Sequence, residues 1–454
     1  MKRVKSAKEI RSAGGGIRTR ESLRNRILSP APLSSWLPPP LPLFRSRRFA
    51  SPPFLIFFLN IFKDRAREKR KAGGSGMISR ERIMEVLADY DIERVCVGVL
   101  GSHSALDVCD GAKEEGFKTL VVAEKGREKP YTKYFASREV NGLRKGVVDE
   151  CIVLNKFADI MKESVQEDLR RRNTLFVPNR SFVVYTGVEN VENVFEVPLV
   201  GSRDMLRIED REREERNYYW LCEKAGIPVP PSYEPEDIDT LVMVKLPHAE
   251  MRLERGFFTA RSSEEFREKA ERLVRRGVIR EEDLAEARIE KYIVGPVFNF
   301  DFFYSPLDDE IELLGVDWRF ETNLDGVVRI PKTQELPEEL KEPLMIVVGH
   351  ASATLRESLL NKVFPMAEKF VEASKQYFEA GIIGPFCLQT IVDADLNFWV
   401  YDVATRIGGG TNIHMNCGHP YGNTLFRTNM SSGRRLALEI KRAIEMDKLE
   451  KIVT

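Results

Sequence analysis

Between residues 384 and 412 the chain gathers an amide oxygen, a carboxylate, a cation and three consecutive glycines: Gln389, Asp402, Arg406, then Gly408, Gly409 and Gly410. Gln389 and Asp402 each close a run with strand character. Oxygen donors on neighbouring strands suit a hard divalent ion such as Mg2+. A guanidinium and backbone N–H groups beside that ion suit phosphate oxygens. Three glycines in a row cost chain entropy, and close approach of a ligand to the backbone is a reason to carry them. A flexible surface turn is the other reading. Thr411 and Asn412 flank the glycines and share whichever role they have.

Other chemistry-bearing residues sit at element ends or against the grain of apolar runs. Residues 94–100 read as a buried strand, followed by the turn Gly101-Ser102-His103 and a helix over 104–116 with Ser104 as its N-cap. Backbone N–H groups at that helix start can hold a phosphate, and His103 can add a hydrogen bond; a plain polar turn residue is the alternative. Ser181 follows a strand at 175–177 and either meets the same ligand or caps a helix. Lys245 lies inside the apolar run Leu241-Val242-Met243-Val244. A lysine there meets an anion such as a nucleotide phosphate, or faces water from an edge strand. Glu290, in another strand-like run, could accept from a ribose hydroxyl or an adenine amine, or stand exposed. Asn323, in the turn-rich stretch 321–326, has self-bonding turn chemistry as its simplest reading.

The elements that must carry these residues follow from periodicity. Strand 94–100, helix 104–116 and strand 118–123 form a βαβ unit, which requires a parallel sheet. Residues 197–200 read as a further strand, at an edge because of Pro198. A long charged helix over 209–225 ends at Gly226 and the prolines beyond it. A strand over 240–246, a helix over 262–277 with the capping box Ser262 to Glu265, and strands at 289–294, 297–304 and 311–318 make a mixed region. Two helices over 349–381 and a closing helix over 434–446 complete it. The fold class expected is α/β followed by α+β.

The chain has 454 residues, 43% hydrophobic and 31% charged, with a net charge of zero. That balance hides a division. Residues 1–76 carry 18 Lys and Arg against 4 Asp and Glu, and the remainder carries 52 basic against 66 acidic residues. The proline-rich basic head reads as a disordered extension, and Met77, where the regular αβ pattern begins, reads as the true start. Its apolar run 54–62 is too short to span a bilayer. An acidic body argues against nucleic acid as a partner. Six scattered cysteines, none in a Cys-x-x-Cys pair, argue against a disulfide framework or a zinc site and for a reducing cytoplasm.

Lys245, Glu290, Gln389 and Asp402 stand in the order seen in ATP-grasp enzymes, and 225–230, Ala-Gly-Ile-Pro-Val-Pro, is similar to their entry segment. More narrowly, Gly101-Ser102-His103-Ser104, the stretches 314–319, 325–331 and 356–360, and Ile383-Gly384-Pro385-Phe386-Cys387-Leu388-Gln389 resemble the archaeal family of 5-formaminoimidazole-4-carboxamide ribonucleotide (FAICAR) synthetases. The similarity runs from about Met77 to Thr454. It implies an ATP-grasp fold over 203–454, with a small lid at about 235–295, behind a Rossmann-like domain over 77–202. It implies ATP, formate and aminoimidazole carboxamide ribonucleotide (AICAR) as small-molecule substrates, Mg2+ or Mn2+ as the ion, purine synthesis as the setting, and a homo-oligomer without membrane association. His103, Ser181, Asn323 and Asn412 would bind the ribonucleotide, Lys245 and Glu290 ATP, Gln389 and Asp402 the metal. Arg406 would steady the transferred phosphoryl group.

Two features depart from that pattern. The phosphate-covering loop is usually glycine-rich; here 247–256 holds one glycine, with Glu250 and Glu254 facing phosphate charge. Asp402 stands where a longer glutamate is more usual. These departures leave two rivals to the formate ligase: a weakly catalytic paralogue that senses a purine nucleotide, and a ligase for another small carboxylate.

Overall fold

The computed structural model describes residues 77–210, 214–246, 257–321, 324–331, 333–336 and 347–454. Its first sheet is built from β1 (Cys96–Leu100) and β2 (Lys118–Glu124), then, beyond a small hairpin of β3 (Arg138–Val140) and β4 (Leu143–Lys145), β5 (Glu150–Leu154) and β6 (Thr174–Val177). The order β5-β2-β1-β6 is parallel throughout. Every residue of β1 is buried, as a strand covered on both faces requires. Residues 197–200 form no strand of their own. They touch the sheet through a single parallel bridge, Phe176 to Leu199, and the Pro198 carbonyl accepts from the Phe176 amide at 2.8 Å.

β7 (Val242–Lys245), β8 (Phe258–Ala260) and β9 (Arg288–Lys291) make a small antiparallel sheet in the order β8-β7-β9. Val242, Val244 and Ile289 face its own core with Phe258, Phe266 and Leu273. The helix Ser263–Arg275 covers that core. Ser262 caps it, accepting from the Glu265 amide at 3.2 Å, but the Glu265 carboxylate turns to the Arg261 amide, so the capping box is only half made.

A large antiparallel sheet follows: β10 (Val297–Ser305), β11 (Glu310–Glu321), β12 (Val347–Ala353), β13 (Gly384–Val392) and β14 (Phe398–Ala404), in the order β12-β11-β10-β13-β14. Phe300, Val316, Leu388 and Val403 point into an apolar core covered by the helix Leu360–Tyr377. The alternate positions make a polar face. Cross-strand register lines up Ser352, Asp317, Asn299, Gln389 and Asp402 in one row, one residue from each of the five strands.

Three expectations from the sequence fail here. Of the helix expected over 209–225, the described residues form only Tyr218–Lys224, because Asn217 caps it by accepting from the Tyr219 and Trp220 amides, while Glu209 ends a separate 3-10 turn and is drawn into tertiary bonds. The first of the two helices expected over 349–381 is instead β12, whose Val-Val-Gly-His-Ala-Ser-Ala run lacks a helical apolar stripe and pairs with β11. Gln389 lies in the middle of its strand rather than at its end.

The closing helix, Ser432–Glu445, returns to the first sheet and packs on the helix Ala105–Glu114. Glycine makes this possible on both sides: a Cβ on Gly111 would lie 2.1 Å from the Arg434 amide nitrogen, and one on Gly433 would lie 2.0 Å from the Asp107 carbonyl. Arg435 of this helix is fully buried and donates to Glu312 of β11 and to Glu439. Arg435→Met would leave two buried carboxylates without their cation. The expected cost is about 3–5 kcal/mol, read as a drop in the urea midpoint.

Candidate active site

The small sheet presents Met243, Lys245, Arg288 and Glu290 on its polar face, since directly paired residues of antiparallel strands point the same way. Lys245 is on the central strand and buried, so the reading of a lysine facing water from an edge strand does not hold. Its ammonium pairs with Glu290, donates to the Tyr219 hydroxyl at 2.9 Å and approaches the Tyr401 carbonyl at 3.5 Å. Tyr219 donates to Glu290 at 2.8 Å, and Arg288 lies over the Tyr219 ring. Lys245 and Glu290 are thus one charge pair, set beside the residue that precedes Asp402.

Arg406 leaves the end of β14 and is clamped by Glu209: one guanidinium nitrogen lies 3.1 Å from Glu209 Oε2. The same carboxylate accepts from the Thr405 amide at 2.8 Å and from Arg180 at 3.3 Å. Glu209 is buried and Arg180 is half exposed, so the carboxylate anchors two cations from below. Arg406 Nε is buried with no hydrogen-bond partner among the described residues. His103 stands nearby. Desolvation by its surroundings, then the charges of Arg406, His350 and Arg180, hold its imidazole below the ordinary value.

The triple glycine is a constructed contact rather than a loose surface turn. It opens the 3-10 turn Gly409–His414. A Cβ on Gly410 would lie 2.3 Å from Asp317 Oδ1, and one on Gly409 would lie 3.1 Å from His103 Nδ1. The segment therefore lies flat between the polar face of the large sheet and the carboxyl end of β1. Ser104 helps to hold it. Instead of capping its helix it adopts a left-handed conformation, φ 64°, and its hydroxyl bonds the Gly408 carbonyl, so the N-cap expectation is corrected. Ser181 does not cap a helix either; Asn179 does, and Ser181 donates to the Ser102 hydroxyl at 2.6 Å, next to His103. Asn412 lies in the 3-10 turn, with a buried side-chain oxygen that has no partner among the described residues. Asn323 and the loop 247–256 lie outside the described residues.

Sequence reasoning missed part of the polar face. Asn299 and Asp301 alternate with Phe298, Phe300 and Phe302, a period-2 signal that a half-polar strand was present. Asp317 is buried, accepts from Asn299 at 2.8 Å and lies 2.6 Å from His350 Nδ1. Burial, then the Asp317 charge, push Asp301 well above the usual carboxylate range. Arg319, two residues beyond Asp317 on the same strand, donates to the Gln389 side-chain oxygen and has the Asp402 charge close by.

The register pairs Gln389 directly with Asp402. Their donors nevertheless fit a protein-held metal poorly. One is a neutral amide whose oxygen already accepts from Arg319; the other is a single carboxylate, one of whose oxygens accepts from the Val403 amide at 3.0 Å. Among the described residues no group of three His, Cys, Asp or Glu is placed to hold an ion.

A parallel sheet, a small antiparallel sheet and a large antiparallel sheet with a charged face define an ATP-grasp fold. Two family models match, "Protein of unknown function (DUF1246)" over residues 97–233 and "Domain of unknown function (DUF1297)" over residues 265–454. The chain is 44% identical over 378 residues to a 5-formaminoimidazole-4-carboxamide-1-(beta)-D-ribofuranosyl 5'-monophosphate synthetase of Methanothermobacter thermautotrophicus, covering 83% of this chain and 99% of the relative. It is 45% identical to the synthetase of the same name from Methanopyrus kandleri, covering 83% of this chain and 100% of the relative. The crystal structure of an IMP biosynthesis protein, PurP, from Thermococcus kodakaraensis superposes with a TM-score of 0.59 at 30% identity, covering 79% of this chain and 100% of that one. The chain belongs to the FAICAR synthetase family.

Among the described residues no helix is long and apolar enough to cross a membrane.

Proposed function

We propose that this chain is a cytoplasmic ATP-dependent carbon–nitrogen ligase that formylates AICAR with formate. A formate oxygen attacks the γ-phosphorus of ATP, and ADP leaves. The 5-amino nitrogen of the ribonucleotide then attacks the formyl carbon, inorganic phosphate leaves with the formate oxygen, and the nitrogen loses a proton. Phosphoryl transfer of this kind needs positioning and charge neutralisation more than covalent help.

The observation that carries the reading is the meeting of His103 with the Gly409 backbone beside Arg406 and Arg180. That cluster is cationic, partly desolvated and placed at the carboxyl end of a parallel strand, where open α/β sheets bind ligands. We assign the ribonucleotide to His103, Ser181, Asn323 and Asn412, the ATP tail to Lys245, with Glu290 nearer the nucleoside, and the transferred phosphoryl group to Arg406. ATP-grasp enzymes work with ATP and a divalent ion; Mg2+ or Mn2+ would enter here on the nucleotide. We divide the chain into a nucleotide-cradling domain over 77–202 and an ATP-grasp domain over 203–454, with a lid over about 235–295, assembled as a homo-oligomer. The test is ADP release in a coupled assay. Turnover should require both formate and AICAR; ATP binding without turnover under either addition would overturn the assignment.

His103 gives a pH signature. Its imidazole is held below the ordinary value in the free protein, so it enters binding largely neutral. A phosphate dianion beside it favours the charged form, so binding takes up a proton. Ribonucleotide affinity should therefore rise as pH falls from about 8 towards about 6.5. Calorimetry in two buffers of different ionisation enthalpy reads the proton uptake directly, and His103→Gln should abolish it.

A further inference from the structure

Gln389 and Asp402 face each other across β13 and β14, yet the group that engages them is Arg319. Three observations fix its place. Arg319 reaches across the polar face from β11 and donates to the Gln389 oxygen. Its guanidinium carries a fixed positive charge, as arginine does in proteins, and lies close to the Asp402 and Asp317 carboxylates. Its Nε is buried and has no hydrogen-bond partner among the described residues. A buried donor on a charged group without a partner is costly, and an anion is the natural relief.

We propose that Arg319 supplies at this position the positive charge that a protein-held metal ion would otherwise supply, so that this chain binds the nucleotide triphosphate without needing a divalent ion. The proposal rests on the assignment of ATP to this site and adds what the tail meets there. A guanidinium offers five N–H donors in a rigid plane and pairs with phosphate oxygens two at a time, whereas a metal offers open coordination positions. Gln389 fits this arrangement. A neutral amide oxygen orients a guanidinium without cancelling its charge, and would give a divalent ion no charge compensation. Lys245 approaches the Tyr401 carbonyl, immediately before Asp402, so a tail between the two cations would touch both sheets.

The test is calorimetric titration of the full chain with ATP, in excess Mg2+ and again in excess EDTA, with Mn2+ titrated alone and followed by electron paramagnetic resonance. The wild-type dissociation constants in the two buffers should agree within about threefold, and Mn2+ alone should show no tightly held protein-bound signal. Arg319→Gln should weaken ATP by about tenfold or more in EDTA, with a smaller loss in Mg2+. Arg319→Lys, which keeps the charge and loses the planar fork, should fall between them. The double variant Arg319→Gln, Gln389→Glu, with two carboxylates and no guanidinium, should acquire a Mn2+ signal. Wild-type affinity that collapses in EDTA, or Mn2+ held tightly by the wild-type chain, would overturn the proposal while leaving the ATP assignment standing. ATP failing to bind in either buffer would instead remove the assignment on which it rests. Unchanged circular dichroism across the variants separates lost binding from lost folding.

Discussion

Lys245→Ala should raise the dissociation constant for ATP by about a hundredfold and leave that for the ribonucleotide within about twofold. The first figure is the value of a charge-assisted bond made in a water-poor site. The asymmetry follows from geometry. Lys245 belongs to the small sheet and bonds Tyr219 and Glu290, whereas His103 and Arg180 stand at the carboxyl end of the parallel sheet, beside the glycine segment. In the free protein Lys245 is paired with Glu290, so ATP must compete for the ammonium. Glu290 would then be relieved by Arg288, which lies 3.3 Å away. Equal loss of both ligands would make the lysine a structural residue that holds the small sheet against Tyr219. Isothermal calorimetry with each ligand separately gives the comparison.

The second large effect belongs to Arg406. Arg406→Gln should lower kcat by about two to three orders of magnitude while changing the ATP dissociation constant much less. A cation aimed at charge that develops during transfer acts on the transition state, and removing one such donor costs that much. Its clamp gives a graded check. Glu209→Gln keeps a hydrogen-bond acceptor for the Thr405 amide but removes the charge that anchors Arg406 and Arg180. It should lower kcat less than Arg406→Gln does. A rise in KM with kcat unchanged would place Arg406 in ground-state binding instead.

Much of this is legible in the sequence. The βαβ start, the strand carrying Lys245 and the two strands carrying Gln389 and Asp402 follow from apolar runs bounded by glycine and proline, and the structure differs at those ends by only a few residues. What could not be read was whatever tertiary contact decides. Ser104 has the chemistry of an N-cap, but its hydroxyl is taken by Gly408, some three hundred residues away in sequence. Glu209 has helix propensity, yet it is consumed by Thr405 and two arginines. β12 carries small and polar residues with no clear period, and only its pairing with β11 makes it a strand. Arg319 was visible inside a stretch similar to the family, but its role depends on the register that brings β11, β10, β13 and β14 side by side, which no local pattern encodes. The alternation of Asn299 and Asp301 with phenylalanines was the one local sign that a charged face lay there.

The reading as a formate-using ligase commits to a particular traffic of atoms, and isotope transfer reads it most directly. With [18O]formate, ATP and AICAR, the inorganic phosphate released should carry one 18O for each formyl group transferred, as measured by mass spectrometry. Formylated ribonucleotide accompanied by unlabelled phosphate would contradict the account, because the formate oxygen would then never have been bonded to the transferred phosphorus.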